Sequence, residues 1–196
     1  MNGHRTPETL ILQPLSAAGF APFGEIIEPA AAVSEYNIND GLTRRYHDIA
    51  RANSLPATGK SVSVASGAPG NESDRGADMR SSIGFSVFRA KPVTLPFMLR
   101  RMERHPLGTQ AFINTGNVAF AIVVAPPGSF DAAALRAFLA APGQSINYHA
   151  GTWHHYLLAL GRGDFIVVDR IGDGNCDEVE LPYPVMLVAG SADGRR

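Results

Sequence analysis

Apolar residues along this chain recur mostly in short runs broken by Gly and Pro, or alternate with polar ones, and only once do they follow a helical period. Residues 9–15 (TLILQPL) and the second half of 17–27 (AAGFAPFGEII) form short apolar runs that predict strands. Residues 61–65 (SVSVA) and 83–89 (IGFSVFR) alternate in the manner of a half-buried strand. The run 118–125 (VAFAIVVA) is apolar throughout, so it predicts a strand buried on both faces, closed by Pro126, Pro127 and Gly128. Tyr156, Leu157 and Leu158 predict a further buried strand, residues 165–169 (FIVVD) another, and residues 179–181 a short one. Gly172 to Asn175 predicts a turn. The one helical pattern is DAAALRAFLAA (131–141): Leu135, Phe138 and Leu139 would share a face, Ser129 or Asp131 would cap it, and Pro142 with Gly143 would stop it.

Two stretches break the pattern. Residues 66–82 are rich in Gly, Ser and charge with no apolar period, which predicts a mobile surface loop, and the tail 190–196 predicts a frayed end. Many short strands, frequent turns, a minor helix and no solenoid-length repeat predict an all-β protein. The architecture that fits best is an antiparallel jelly-roll β-barrel of eight strands, with 1–196 as a single domain and a mouth lined by polar groups.

Composition narrows the partners. With 17 basic and 18 acidic side chains the net charge is -1, which gives no general attraction to nucleic acid or anionic membrane. A small molecule or a second copy of the chain is the expected partner. The longest apolar run falls far short of the roughly 20 residues of a membrane helix, and the first ten residues carry no apolar signal region. The single cysteine, Cys176, cannot form an internal disulfide and reads as a small buried residue, consistent with a reducing cytosol.

Polar residues of catalytic type gather in two stretches. In RMERHPLGTQAFINTG (101–116) Glu103 and His105 are two apart and share a strand face, Pro106 and Gly108 force a turn, and Gln110 re-enters beside them. In GQSINYHAGTWHHYLL (143–158) a turn at His149 to Thr152 places His154 at the lip of a buried strand, with His155 pointing the other way. Glu103, His105, Gln110 and His154 make the inventory of a divalent-metal site, or, without a metal, of an acid and base pair. Around them Asn147 and Tyr148 read as turn and wall residues in contact with the substrate. Tyr156, two residues after His154, is expected on the same face. Arg45, followed by Tyr46, and Arg89, at the end of its strand, are the expected carboxylate contacts, whereas Arg44 reads as solvated. Asp169 is expected either to support a ligating His or to pair with Arg170.

The spacing of these stretches resembles the paired motifs of the cupin superfamily: Glu103-x-His105, Gln110 and Gly116 stand in the first, and His149-Ala-Gly151-Thr-Trp-His154 in the second. A more specific resemblance, carried by NDGLTRRYHDIA (39–50), ERHPLGTQAFI (103–113), LRAFLA (135–140), GQSINYHAGTWHH (143–155) and DFIVVDRIGDGNCDEVE (164–180), is to the ureidoglycolate lyase family. It implies a cytoplasmic, homodimeric cupin of allantoin catabolism. Such an enzyme cleaves (S)-ureidoglycolate to glyoxylate and urea, with a divalent metal, nickel in some descriptions, as a cofactor that not every member need retain. The chain departs from the family in Tyr156, which stands where Pro is usual, and in the long 67–82 loop. Two other readings stay open from the residues alone: a metal cupin acting as oxygenase or isomerase on another small hydroxy acid, and a non-catalytic binder of a small acid.

Overall fold

A computed structural model describes residues 8–55 and 82–190. The expected strand at 61–65, nearly all of the expected 66–82 loop and residues 191–196 lie outside the described residues. In chain order the elements are β1 (Glu8–Ile11), β2 (Gln13–Pro14), α1 (Ala17–Phe20), β3 (Gly24–Ile27), β4 (Ser34–Ile38), β5 (Thr43–His47), β6 (Ile83–Ala90) and β7 (Phe97–Arg104). They continue with β8 (Gln110–Asn114), β9 (Phe120–Ala125), β10 (Arg136–Ala140), β11 (Ser145–Tyr148), β12 (Trp153–His154), β13 (Leu158–Ala159), β14 (Gly163–Arg170) and β15 (Asp177–Val188).

The strands form a larger, nearly closed sheet in the order β1-β15-β7-β12-β9-β10-β2, with β13 beside β9, and a five-stranded sheet in the order β3-β11-β8-β14-β6. Strands β4 and β5 make a separate two-stranded ribbon. This is the expected all-β, cupin-type barrel. Its pairing is antiparallel except where the N-terminal segment joins the larger sheet, since β1 runs parallel to β15 and β2 parallel to β10.

The apolar run at β9 is buried along its whole length, as its composition requires. Phe120, Ile122 and Val124 face a cluster built with Phe20, Phe112, Phe138, Ile146, Tyr148, Phe165 and Val167, drawn from both sheets. Ala121, Val123 and Ala125 face a second cluster with Leu99, Met102, Leu135, Trp153, Leu158 and Leu187. Strand β9 is therefore the wall between two cores.

The expected helix over 131–141 does not form. Asp131 caps a single 3-10 turn, Ala132–Ala134, and the chain then enters β10, registered against β9 from Arg136↔Val124 to Ala140↔Phe120. Its burial follows a period of two: Leu135 and Ala137 join one core while Phe138 and Ala140 join the other. Alanine's helix preference is worth a fraction of a kcal/mol per residue, less than burying Phe138 between two sheets contributes. Leu139, which the helical reading buried, is exposed. The one α-helix among the described residues is the four-residue α1, capped by the Ser16 hydroxyl. Likewise the short strand expected at 179–181 is part of the twelve-residue β15, which carries a bulge between Glu180 and Val185.

Gly116 shows how closely the barrel is closed beside the motif. A Cβ there would lie 2.6 Å from the Asp164 amide nitrogen and 2.7 Å from the Gly163 Cα, both backbone atoms that cannot swing aside. Gly116→Ala is expected to lower stability by about 2 kcal/mol, read as a lower denaturant midpoint at unchanged slope. A midpoint equal to that of the parent protein would show that the two backbones separate freely.

Candidate active site

The two motif stretches converge at the barrel mouth. Glu103 on β7 and His154 on β12 are direct cross-strand partners, and the Glu103 Oε1 lies 3.5 Å from the His154 Nε2. His105 follows one residue after β7 ends. One ligand atom each from Glu103, His105 and His154 falls within 4.8 Å of the others. The chain builds this by tying down its turns. The Gly151 amide, at a φ of +78°, donates to the His105 carbonyl at 2.9 Å. The Thr152 hydroxyl donates to the Phe23 carbonyl at 3.0 Å. A side chain other than glycine is strained at that φ, so Gly151 fixes where His154 emerges.

Each imidazole is oriented by a backbone carbonyl. The Nδ1–H of His105 donates to the Asn175 carbonyl at 2.6 Å, and the Nδ1–H of His154 donates to the Thr152 carbonyl at 3.0 Å. With the proton on Nδ1, the Nε2 of each ring presents a lone pair. Both Nε2 atoms are buried without a hydrogen-bond partner. The 3.5 Å approach of Glu103 to His154 is an ionic contact, too long to satisfy that nitrogen well. Tyr148 stacks flat on His154, with centroids 4.4 Å apart at 17°, so the ring cannot rotate away.

Electrostatics favour a neutral His105 ring beside a charged carboxylate. Burial, then the neighbouring His154, lowers the His105 pKa, against a smaller opposing effect of the Asn175 bond. For Glu103, burial acts to raise the pKa, but the imidazoles around it, His154 first and then His105 and His155, outweigh it. Its carboxyl therefore sits below the ordinary value. Burial, then the Glu103 charge, pushes the Tyr148 hydroxyl far up, so it stays protonated.

Gln110 is buried on β8, opposite Tyr148 and so on the face toward His154. Its Nε2 donates to the Asp169 Oδ2 at 3.0 Å, which leaves its Oε1 buried and unpartnered. Asp169 thus orients Gln110, neither supporting a histidine nor pairing with Arg170. Two imidazole lone pairs and a carboxylate form a donor set suited to a divalent cation, with the Gln110 amide oxygen on the neighbouring face, and the orphaned buried atoms are what such a cation would satisfy.

The other expected site residues are placed elsewhere. Asn147 sits on the opposite face of β11 from Tyr148, where its Nδ2 donates to the Glu25 carboxylate and the Arg51 carbonyl. Tyr156 does not share the face of His154, because β12 ends at His154 and the parity of a strand ends with it. Tyr156 is 46% exposed and lies against His155. Arg89 is exposed and forms a two-pronged pair with Asp164. Asp164 and Asp169 lie five positions apart on β14, about 16 Å along a strand, so Arg89 does not line this mouth. Arg45 and Tyr46 lie on the exposed β4–β5 ribbon, where the Arg45 guanidinium covers the Tyr36 ring. Arg44 pairs with Glu35. Cys176 is exposed, against the expectation of burial. Its thiol pKa is raised by partial burial and then by Glu103, Glu178 and Asp177, which makes it a poor nucleophile.

Two contributors were not legible. Asn175 reads as turn filler between Gly174 and Cys176, yet its carbonyl clamps His105 and its Oδ1 accepts from the Leu107 amide at 2.7 Å. Arg170 reads as a partner for Asp169, yet it lines a 330 Å³ cavity with His105, Asp169 and the loop from Gly172 to Cys176. A larger groove of 560 Å³ runs along the bulge of β7 and β15, lined by residues 98–101 and 180–184, and contains none of the converging side chains.

Residues 7–188 match a family model described as ureidoglycolate lyase. The chain is 41% identical over 182 residues to the ureidoglycolate lyase of Burkholderia mallei (strain NCTC 10229), covering 92% of this chain and 94% of the relative. Against the ureidoglycolate lyase of Pseudomonas entomophila (strain L48) it is 39% identical over 183 residues, 92% of this chain and 96% of the relative. Against that of Pseudomonas aeruginosa (strain LESB58) it is 40% identical over 173 residues, 87% and 89% of the two chains.

Proposed function

This chain belongs to the ureidoglycolate lyase family, and we infer from that premise that it is a lyase splitting ureidoglycolate into glyoxylate and urea at Glu103, His105 and His154. The observation that carries the placement is the pair of orphaned, carbonyl-oriented Nε2 lone pairs beside one carboxylate. Ureidoglycolate bears a hydroxyl and a ureido nitrogen on one carbon. Cleavage needs a base to take the hydroxyl proton, the oxygen's electron pair to form the aldehyde carbonyl, and the carbon–nitrogen pair to leave on nitrogen. That nitrogen then receives a proton, so the net transfer is from oxygen to nitrogen. Without a metal, one imidazole Nε2 accepts the hydroxyl proton, and the resulting imidazolium, stabilised by the adjacent Glu103 charge, is the donor for the departing urea. Tyr148 keeps the His154 ring in place throughout.

Glu103, His105, His154 and the Gln110 Oε1 are the atoms that would hold a divalent ion such as nickel. Such an ion would polarise the substrate's hydroxyl and lower its pKa. The family resemblance favours the (S) enantiomer.

The family resemblance also supports a homodimer. Phe85 and Val87 on the edge strand β6 are 78% and 66% exposed, and Leu42 at the tip of the ribbon is 89% exposed, an apolar surface suited to a second copy. No helix among the described residues is long and apolar enough to cross a membrane, and a cytoplasmic setting accords with the lone free thiol.

The test is incubation with racemic ureidoglycolate, with and without chelator, following urea, glyoxylate and dissolved oxygen. The lyase yields urea and glyoxylate in equal amounts, from one enantiomer, without oxygen uptake. Oxygen consumption, or an absence of urea with metal restored, would remove the assignment.

A further inference from the structure

The residues expected to grip a substrate carboxylate, Arg45 and Arg89, are exposed on the monomer. A different arginine answers that need. Arg170 closes β14 and is 6% exposed, and its Nε and Nη1 are buried without a hydrogen-bond partner. A guanidinium does not give up its proton, so a buried one without an acceptor is a charge awaiting an anion. Arg44, Arg51, Arg89, Arg101 and Arg104 each already hold a carboxylate. The nearest acid in sequence, Asp169, accepts instead from Gln110.

The surroundings of Arg170 belong to the mouth of the site. It lines the 330 Å³ cavity together with His105, the Asp169 whose carboxylate Gln110 holds, and the loop from Gly172 to Cys176. The turn at Gly108 packs on its stem, for a Cβ on Gly108 would lie 3.1 Å from the Arg170 Cβ. Ser54 bridges to Gly108 from the preceding strap, and its hydroxyl is likewise buried without a partner. The backbone here is fixed by mutual bonds: the Asn53 amide donates to the Thr109 hydroxyl at 2.9 Å, and the Leu55 amide to the Leu107 carbonyl at 2.7 Å. Unpaired guanidinium N–H donors and a spare hydroxyl, on a fixed frame beside a cavity, match the oxygens of a carboxylate.

We propose that Arg170, assisted by Ser54, is the carboxylate-binding residue of this site, selecting small α-hydroxy and α-oxo acids by their carboxylate. That this carboxylate is the substrate's own rests on the lyase reading above. Binding there places the hydroxyl-bearing carbon toward His105. An uncharged analogue would leave the guanidinium buried and unpaired, which is the source of the discrimination.

The experiment uses the full-length protein, its Arg170→Gln and Arg170→Lys variants, and sodium glyoxylate and acetamide as probes. Calorimetric titration of wild type is expected to show glyoxylate binding and no acetamide binding. In Arg170→Gln the glyoxylate Kd and the KM for ureidoglycolate rise on the order of 100-fold while kcat changes by less than about threefold, the pattern of an interaction used equally before and during reaction. Arg170→Lys, which keeps the charge and loses the fork, falls between. In wild type the Arg170 Nε–Hε resonance shifts on adding glyoxylate, a readout that survives even where a variant fails to fold. An unmoved resonance, or a folded Arg170→Gln with unchanged Kd and KM and only a lower Tm, would make Arg170 a structural residue and overturn the proposal. Should wild type release no urea, the lyase reading fails, while the glyoxylate titration and the resonance still decide whether Arg170 binds carboxylates.

Discussion

Replacing His154 by glutamine is expected to slow urea release by about 1000-fold, in the range that a positioned general acid or base contributes. His154 is 1% exposed and its Nε2 has no good partner in the protein, so the ring is held for something other than internal bonding. Its Nδ1–H on the Thr152 carbonyl and its stack on Tyr148 set both tautomer and plane. Glutamine keeps bulk and polarity against Tyr148 but cannot accept a proton and pass it on. The measurement is kcat/KM for ureidoglycolate alongside the thermal midpoint. A variant that melts close to the parent and turns over within tenfold of it would remove His154 from the chemistry. A His155→Phe control should stay active, because His155 faces away, edge-on to Phe97 at 5.8 Å.

What made His154 legible also explains what was not. Glu103 and His105 share a face by strand parity, and the Gly151 turn delivers His154 opposite Glu103. Both are local rules, and local rules survive folding. Parity equally separates Asn147 from Tyr148, and it fails at Tyr156 because β12 stops at His154, a boundary set by cross-strand partners on β7 and β9 rather than by the residues themselves. The 131–141 segment was misread for a related reason. Its helical spacing is real, but β9 offers an unpaired edge between two cores, and no local pattern reports that edge. Arg170 was hidden by its neighbour, since an Asp-Arg pair suggests a salt bridge until the Gln110 amide is seen to occupy the acid.

His155 should make stability fall with acid well above the range of ordinary carboxylates. It is buried against Phe97, with its Nδ1–H donating to the Tyr156 carbonyl at 3.1 Å. Burial pushes its pKa down from 6.5 to about 4, against smaller raising effects of the Tyr156 carbonyl and the Glu103 charge. The unfolded chain therefore takes up this proton near pH 6.5 and the folded chain only near pH 4. Between those values the unfolded state binds more protons, so the contribution is complete above about pH 6.5 and is lost progressively as pH falls toward 4. A shift of this size corresponds to about 3 kcal/mol at the acid limit, and roughly 2–3 kcal/mol of it should be gone by pH 4.5. His105, whose pKa is lowered chiefly by burial, adds a component of the same sign. Denaturant unfolding at pH 7 and pH 4.5 measures the loss, and His155→Phe, which retains the contact with Phe97, isolates this residue's share. The variant should lose roughly 2–3 kcal/mol less than the parent between the two pH values and keep a smaller slope from His105. Equal losses in both proteins would mean that His155 is charged in the fold, and hence that acceptors other than the Tyr156 carbonyl reach it.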